Sequence, residues 1–294
     1  MMYADHPLAD IFSSADLKRL AQGKCLISDS PADALIARLL TGPGYESDPL
    51  LLRLREWFLQ AASHGPDVAA HYRQRLRSGV GSIKAFYQPI GELRAAHFFE
   101  RQQGLRLAHV PVDPLGSRRT PEFEISSEGV TVLVEVKTIG DHPWSEGGGF
   151  MGGVHTRAGG IRDDIRHAVG QFDRDGHNLL MVIDQERVPI WAHDVLDAMH
   201  GTEYISIPYG PDGSPGAARV QRDRDGRLGP KSNTRVGVIG VLRMSCVEPQ
   251  VYFVHNIHAA RPIPPELLDP WPQCVPSDDG TELITRNCSD GCWR

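Results

Sequence analysis

The sequence has few cysteines and no long apolar run, and both shortages limit what the protein can be. Five cysteines, an odd and scattered set, are too few for a disulfide framework, so we expect reduced thiols. Cys274, Cys288 and Cys292 could form part of a zinc site, but a well-spaced fourth ligand is missing and a loose tail is the preferred interpretation. No apolar run reaches the ~20 residues of a membrane span, and the first ten residues show neither a basic region nor an apolar signal core. We therefore expect a cytoplasmic protein without a membrane segment.

An excess of positive charge is also missing. The net charge of -6 argues against a surface that is basic all over, although a protein that binds nucleic acid needs only a local basic groove. The glycine-rich stretch 140–160 contains neither Gly-x-Gly-x-x-Gly nor a Lys-Ser/Thr ending, so it is not a phosphate-binding fingerprint. With 294 residues, 40% of them hydrophobic, the chain can still bury a large core.

What the sequence does have is a strictly alternating segment near its middle. Valines occupy every second position from Val130 to Val136, which predicts a strand because successive strand side chains face opposite sides. Glu135 and Lys137 then share the other face at the end of this apolar element. Such a charged pair is either a structural ion pair or part of a ligand site.

Other acids are predicted to lie near Glu135. Residues 121–125 predict a second strand, and the turn-like residues 126–129 join the two strands as a hairpin. In that hairpin Glu122 or Glu124 lies across from Glu135. Glu92 lies on the inward face of a helix predicted over 91–103, where it either joins these acids or interacts with the helix dipole.

Three carboxylates in one place need compensation. Two like charges at ~4 Å repel by about 4 kcal/mol at an effective dielectric of ~20. A divalent cation, a raised carboxylate pKa or Lys137 can offset this repulsion, and only the cation uses all the oxygen ligands. Hard oxygens suit magnesium or manganese.

The order of these residues resembles the PD-(D/E)XK nuclease superfamily, which has the restriction-endonuclease-like fold. The matching residues are the helix acid Glu92, then Pro121-Glu122, then Glu135-Val136-Lys137. A predicted helix over 161–174 and a buried strand over 178–184 follow in the family's order. The family usually has Asp where this chain has Glu122, so the choice between Glu122 and Glu124 as the ligand stays open.

The resemblance implies an α/β fold with a mixed central sheet flanked by helices. We divide the chain into a helical N-terminal region (1–88), a nuclease-like domain with a C-terminal sheet extension (89–268) and an irregular tail (269–294). The N-terminal helices are then the place for substrate choice, for a homodimer contact or for another protein partner.

The activity implied by the resemblance is metal-dependent hydrolysis of phosphodiester bonds in nucleic acid, DNA rather than RNA. Glu122 and Glu135, helped by the Val136 carbonyl, would hold Mg²⁺ or Mn²⁺. Glu92 would contribute directly or through water, and Lys137 would orient or help deprotonate the attacking water. The alternative is a protein that keeps the fold, has lost the chemistry and acts as a nucleic-acid-binding or scaffolding module.

Four more residues are candidates for contact with nucleic acid. Arg118 and Arg119 lie in a polar loop next to the predicted site, and Arg162 and Gln171 lie on the helix after it. The basic residues over 69–77 either face a phosphate backbone or form a solvated helix face, and we favour the second. The stretch 140–160 either closes over substrate or is a disordered surface loop. The side chains that would contact substrate on closure are His142, Trp144, Phe150 and His155.

Overall fold

The computed structural model describes residues 3, 5–110, 120–139, 158–173, 175–185, 190–209, 214–222, 226–229, 234–244, 250–280 and 282–288. Two predicted features therefore lie outside the described residues. They are the loop with Arg118 and Arg119, and most of the glycine-rich stretch with His142, Trp144, Phe150 and His155.

The first part of the chain is helical, as predicted. Its helices are α1 (Ser14–Ala21), α2 (Ala34–Thr41), α3 (Pro49–Ala62) and α4 (Pro66–Gly79), with a 3-10 turn at Tyr45–Ser47. Side chains that cap the first backbone N–H groups explain three of the starts: Ser13 for α1, Asp33 for α2 and Asp48 for α3.

The next helix, α5 (Ile83–Glu100), starts well before the predicted residue 91. The early start was missed because Pro89 lies inside the helix, where proline removes a backbone hydrogen bond. Phe86, Ile90 and Leu93 are fully buried along α5. Packing of this apolar face thus overrides the local preference against proline.

The remaining elements build a mixed sheet with helices on both faces. The strands are β1 (Arg106–His109), β2 (Phe123–Ser127), β3 (Val130–Ile139), β4 (His177–Asp184), β5 (Glu203–Ser206), β6 (Arg219–Arg222), β7 (Val238–Arg243), β8 (Val251–His255), β9 (Gln273–Pro276) and β10 (Leu283–Arg286). The helices are α6 (Ala158–Ala168) and α7 (Ala192–His200), with a 3-10 turn at Pro265–Leu268.

Eight strands form one sheet in the order β1-β2-β3-β4-β7-β8-β9-β10, while β5 and β6 form a separate two-stranded ribbon. The neighbours β1, β2 and β3 are antiparallel, and β3, β4 and β7 are parallel. The apolar side chains of α3, α4 and α5 share one core with β2, β3 and β4, and those of α6 and α7 form a second core with β4 and β7. The predicted α/β class with a mixed sheet is confirmed. Among the described residues no helix is both long enough and apolar enough to cross a bilayer.

Two of the predicted boundaries differ from the structure. The boundary at 88/89 falls inside α5, and one apolar core runs from the N-terminal helices across α5 to the strands. The tail from 269 is not irregular throughout, because β9 pairs with β8 and β10 pairs with β9. Both differences arise from long-range packing, to which periodicity within one segment is not sensitive.

Gly91 allows α5 to approach the sheet closely. A Cβ at this position would lie 2.4 Å from Thr138 Oγ1 and 3.1 Å from Ile183 Cγ1. We expect Gly91→Ala to lower the free energy of unfolding by about 1–2 kcal/mol, because the overlap outweighs the better helix propensity of alanine. Urea unfolding measures the change. Gly159→Ala, in α6 with no atom near the added Cβ, is the matched control and should stabilise the protein slightly; equal effects of both substitutions would contradict the close approach.

Candidate functional site

The hairpin of β2 and β3 brings two of the predicted acids level with each other. Glu128 and Gly129 both have positive φ, 49° and 85°, the geometry of a tight two-residue hairpin turn. The resulting register pairs Phe123 with Val134, so Glu122 lies opposite Glu135, and its N–H donates to the Val134 carbonyl at 3.0 Å. Glu124 lies opposite Leu133. Of the two alternatives left open by the sequence, Glu122 is therefore the acid next to Glu135.

The backbone hydrogen bonds between the hairpin strands end at Glu122, and beyond that point the side chain of Gln88 pairs with β3. Gln88 of α5 donates from Nε2 to the Val136 carbonyl at 2.8 Å and accepts from the Thr138 N–H at 3.0 Å. Its amide thus satisfies two backbone groups of β3 that a neighbouring strand would otherwise pair. The predicted metal ligand, the Val136 carbonyl, already accepts one hydrogen bond, and it retains its second lone pair.

Glu92 is fully buried and bound to an arginine. Arg75 of α4 donates from Nη2 to Glu92 Oε1 at 2.7 Å, and its Nη1 contacts Oε2 closely, so the pair is bidentate. The same Nη1 lies 3.5 Å from Glu122 Oε2. Burial raises the pKa of Glu92 well above its usual value, Glu122 raises it further, and Arg75 opposes both effects.

Arg75 therefore supplies positive charge between Glu92 and Glu122. The preferred interpretation of 69–77 as a solvated helix face was wrong for this residue, because the guanidinium lies against two acids that are distant in sequence. Burial alone would lower the pKa of Arg75, but the two carboxylates outweigh it and raise the pKa above the usual value. The sequence had suggested a divalent cation, a raised carboxylate pKa or Lys137 as the compensation, and Arg75 was not among these.

His71 is a second residue of α4 that sequence analysis did not place in the site. Ligand atoms of His71, Glu92 and Glu122 all lie within 4.8 Å of one another. Arg75 Nη1 donates to His71 Nε2 at 3.3 Å, and burial lowers the pKa of His71. The signal in the sequence was the spacing of four between His71 and Arg75, which puts both on one helix face.

On the other side of Glu122, Lys137 joins β3 to the segment after α6. Its Nζ contacts Glu135 Oε1 closely and donates to Gln171 Oε1 at 3.2 Å. Glu135 is fully buried, and within the described part of the chain its Oε2 has no hydrogen-bond partner. Burial raises the pKa of Glu135 to about 7, although Lys137 lowers it, and Glu122 adds a further increase.

Asp164 of α6 is a further acid near Lys137 that sequence analysis missed. Burial raises the pKa of its carboxyl to about 6, while Lys137 and Lys84 lower it. Its Oδ2 is likewise buried without a hydrogen-bond partner in the described residues. The face of α6 toward Lys137 therefore carries an acid as well as the apolar side chains that fill the core.

The structure brings together most of the predicted site residues. Arg75 joins Glu92 and Glu122, Lys137 joins Glu135 and Gln171, and the two groups are close enough for Glu122 to raise the pKa of Glu135. Arg162, in contrast, lies against α7, where it donates to the Asp197 carbonyl at 3.2 Å and to Thr202 Oγ1 at 2.9 Å. Arg118 and Arg119 are outside the described residues.

The donor set suits a hard divalent cation. Glu122, which immediately precedes β2, and Glu135 of β3 offer carboxylate oxygens, Glu135 Oε2 lacks a partner among the residues described, and the Val136 carbonyl lies next in the chain. No family model matches the chain, and no curated protein or solved structure is similar to it. Any assignment of function therefore depends on the chemistry of these residues.

Removing Arg75 tests whether it compensates Glu92. We expect Arg75→Met to lower the free energy of unfolding by about 3–5 kcal/mol at pH 8, because it leaves a buried carboxylate unpaired. The loss should shrink at pH 5, where Glu92 can take up a proton, and Glu92→Gln in the same chain should recover much of it. Urea unfolding at both pH values measures this.

Arg73→Met is the matched control, because Arg73 lies on the same helix and donates to the Asp10 carbonyl at an exposed position. Its cost should be about 1 kcal/mol or less. An equal loss in the free energy of unfolding for the two arginine variants would show that Arg75 does not compensate the charge of Glu92.

The raised pKa of Glu135 predicts a pH dependence of stability. A glutamate in the unfolded chain ionises near pH 4.3, about the model-peptide value, whereas Glu135 in the folded chain ionises near pH 7. Between these values the folded state binds more protons. Its contribution to stability is therefore complete below about pH 4.3 and declines as the pH rises through 7.

Glu135→Gln should remove this decline, and the wild-type chain should lose up to about 3 kcal/mol relative to the variant between pH 4.5 and pH 8. Chemical unfolding of both proteins across this range measures the difference. Glu124→Gln, on the same face of the hairpin but opposite Leu133, is the control and should keep the wild-type slope. A parallel pH profile for Glu135→Gln and the wild type would refute the assignment.

Proposed function

We propose that this protein is a metal-dependent phosphodiesterase, a nuclease of the PD-(D/E)XK type that hydrolyses nucleic acid, DNA rather than RNA. The observation that carries the proposal is the position of Glu122 opposite Glu135, on strands whose ladder ends there, with Lys137 beside them. The element order α5-β1-β2-β3-α6-β4, with β1 to β3 antiparallel and β4 parallel to β3, supports a restriction-endonuclease-like core.

In this proposal Glu122 and Glu135 hold Mg²⁺ or Mn²⁺, with the Val136 carbonyl as a further ligand. The bound cation would lower the pKa of a water molecule and stabilise negative charge on the phosphate. Glu135 must give up its proton to bind it, and its pKa of about 7 makes cation binding compete with protonation near neutral pH.

Lys137 would supply the positive charge that acts on the attacking water or on the phosphate. Its side chain is 21% exposed, so the ammonium is accessible from solvent while it contacts Glu135. There it can donate a hydrogen bond to the attacking water or to a phosphate oxygen as charge develops. Gln171 accepts from the same ammonium and so restricts its orientation.

Arg75 and Glu92 act on the other side of Glu122. Arg75 compensates both acids in the absence of substrate, and its side chain is 29% exposed. Its guanidinium geometry also suits a phosphate oxygen. Glu92 then has a positioning role, because it holds the guanidinium through two hydrogen bonds beside Glu122.

One observation favours the second candidate, an inactive nuclease-like module that binds nucleic acid or serves as a scaffold. The charges of the site already pair internally, Arg75 with Glu92 and Glu122, and Lys137 with Glu135. A site balanced in this way is electrostatically complete without a metal ion. Among the described residues, the buried Glu135 Oε2 without a partner and the second lone pair of the Val136 carbonyl then argue for a cation.

A cleavage assay separates the two candidates. Supercoiled plasmid, linear duplex, single-stranded DNA and RNA are incubated with the 294-residue chain plus Mg²⁺, Mn²⁺ or a chelator. We expect metal-dependent cleavage of DNA that falls by about a hundredfold or more in Lys137→Met and in Glu135→Gln, because each removes a group that acts on the developing charge.

The control variants are Lys18→Met, on an exposed turn of α1, and Glu124→Gln, and both should cleave at the wild-type rate. Each variant is checked for wild-type circular dichroism. Nucleic-acid binding without cleavage, unaffected by metal or by Lys137→Met, would identify the inactive module that binds nucleic acid. The absence of both cleavage and binding would reject the nuclease and the nucleic-acid-binding module.

A further inference from the structure

A second group of ligating side chains lies beside the carboxylate site. His64 follows the end of α3, Glu100 is the last residue of α5, and His109 is the last residue of β1. One ligand atom from each of the three lies within 4.8 Å of the other two. Three separate elements of the fold thus converge on one point with two imidazoles and one carboxylate.

The contacts within this group leave ligating capacity unused. His64 Nε2 contacts Glu100 Oε1 closely, and the rings of His64 and His109 meet edge to face with centroids 5.2 Å apart. His109 Nε2 is buried and has no hydrogen-bond partner among the residues that the structure describes. Burial lowers the pKa of His109 to about 4, so its imidazole is neutral at physiological pH.

We propose that His64, Glu100 and His109 form a second metal site, for a zinc-type divalent cation. Two imidazole nitrogens and one carboxylate oxygen are a donor set that zinc uses when a fourth position stays open for water or another ligand. Magnesium prefers oxygen donors alone, so the two sites differ in the cation they select.

The geometry needs a small rearrangement to accept the ion, because His64 Nε2 and Glu100 Oε1 are in close contact and must separate. A tetrahedral zinc with bonds of about 2.0–2.1 Å holds its ligand atoms roughly 3.3 Å apart. His64 lies in the turn between α3 and α4 and its side chain is 28% exposed, so it can move away from Glu100 Oε1 and make room for the ion. Glu100, whose side chain is 10% exposed, and His109 are anchored by α5 and β1.

A buried tyrosine separates this group from the carboxylate site. The ring of Tyr72 in α4 meets His109 edge to face at 5.7 Å and meets His71 in the same way at 5.3 Å. Its pKa is raised well above the usual value, by burial first and then by Glu92, Glu122 and Glu100. The hydroxyl therefore stays protonated, and the two sites are neighbours that do not share a ligand.

Cobalt absorption tests the second site independently of the nuclease proposal. The 294-residue chain, with any histidine tag removed and carrying Glu122→Gln and Glu135→Gln, is titrated with Co²⁺ and then with Zn²⁺. We expect one equivalent of Co²⁺ with visible d–d absorption that Zn²⁺ displaces and Mg²⁺ does not. Zn²⁺ should also raise the melting temperature, because a cation that binds only the folded chain stabilises it.

His109→Gln and His64→Gln in this background should each weaken Zn²⁺ binding by about a hundredfold or more, since each removes one of three protein ligands. His64 lies in an exposed turn, so we expect His64→Gln to fold even if His109→Gln, at the buried position, does not. His200→Gln is the matched control. His200 also meets a histidine edge to face, His258 at 5.9 Å, and also has a buried Nε2 without a partner in the described residues, but it belongs to none of the metal-ligating groups found there.

Three results would overturn the site: no cobalt absorption, absorption that survives His64→Gln and His109→Gln, or the charge-transfer band of a cysteine thiolate. The outcome does not depend on the nuclease activity, because the carboxylate ligands proposed for it are absent from the background. If this variant binds cobalt and the wild-type chain does not cleave nucleic acid, the second site is supported and only the nuclease proposal is rejected.

Discussion

The contact of Arg75 with Glu92 and Glu122 is the interaction on which the rest of the site depends. A carboxylate that is fully buried costs several kcal/mol unless it is paired or protonated, and Glu92 lies at 0% exposure in the middle of α5. The guanidinium satisfies both of its oxygens and reaches Glu122 as well. Without it, Glu92 and Glu122 would repel each other at the point where β2 and β3 stop pairing.

This dependence makes the N-terminal helices part of the site. Arg75 and His71 both belong to α4, whereas the acids they face lie on α5 and before β2. The apolar core is continuous between these parts, so α4 is held in place by packing as well as by charge. In the proposed nuclease the helical region therefore does more than select a substrate, because it balances the charge of the acids that lie beside the metal ligands.

The carboxylate site and the proposed second site occupy adjacent parts of the molecule with different chemistry. Glu122, Glu135 and the Val136 carbonyl offer hard oxygen donors, whereas His64 and His109 offer imidazole nitrogens. Tyr72, whose ring contacts His71 and His109, lies between them. A chain with both cations bound would have its helical region tied to β1 through one site and its strand ends held together by the other.

Local sequence pattern predicted much of the fold and the acids of the carboxylate site, but not Arg75 or His71. Alternation of valines predicted β3, and residues 126–129 predicted the hairpin turn, because side-chain direction in a strand has a period of two. The choice between Glu122 and Glu124 was settled only by the structure, in which the two-residue turn at Glu128 and Gly129 sets the register. The side chains that cap α1, α2 and α3 also act locally, since each interaction spans only two or three residues.

Tertiary structure alone decided which distant charges meet. Three contacts do not follow from any periodicity: Arg75 with Glu92, Gln88 with the backbone of β3, and His64 with Glu100 and His109. Each joins elements whose relative position is set by packing of the whole core. The same holds for β9 and β10 and for the start of α5 before Pro89. Short-range pattern determines what a segment becomes, and long-range burial determines what it stands next to.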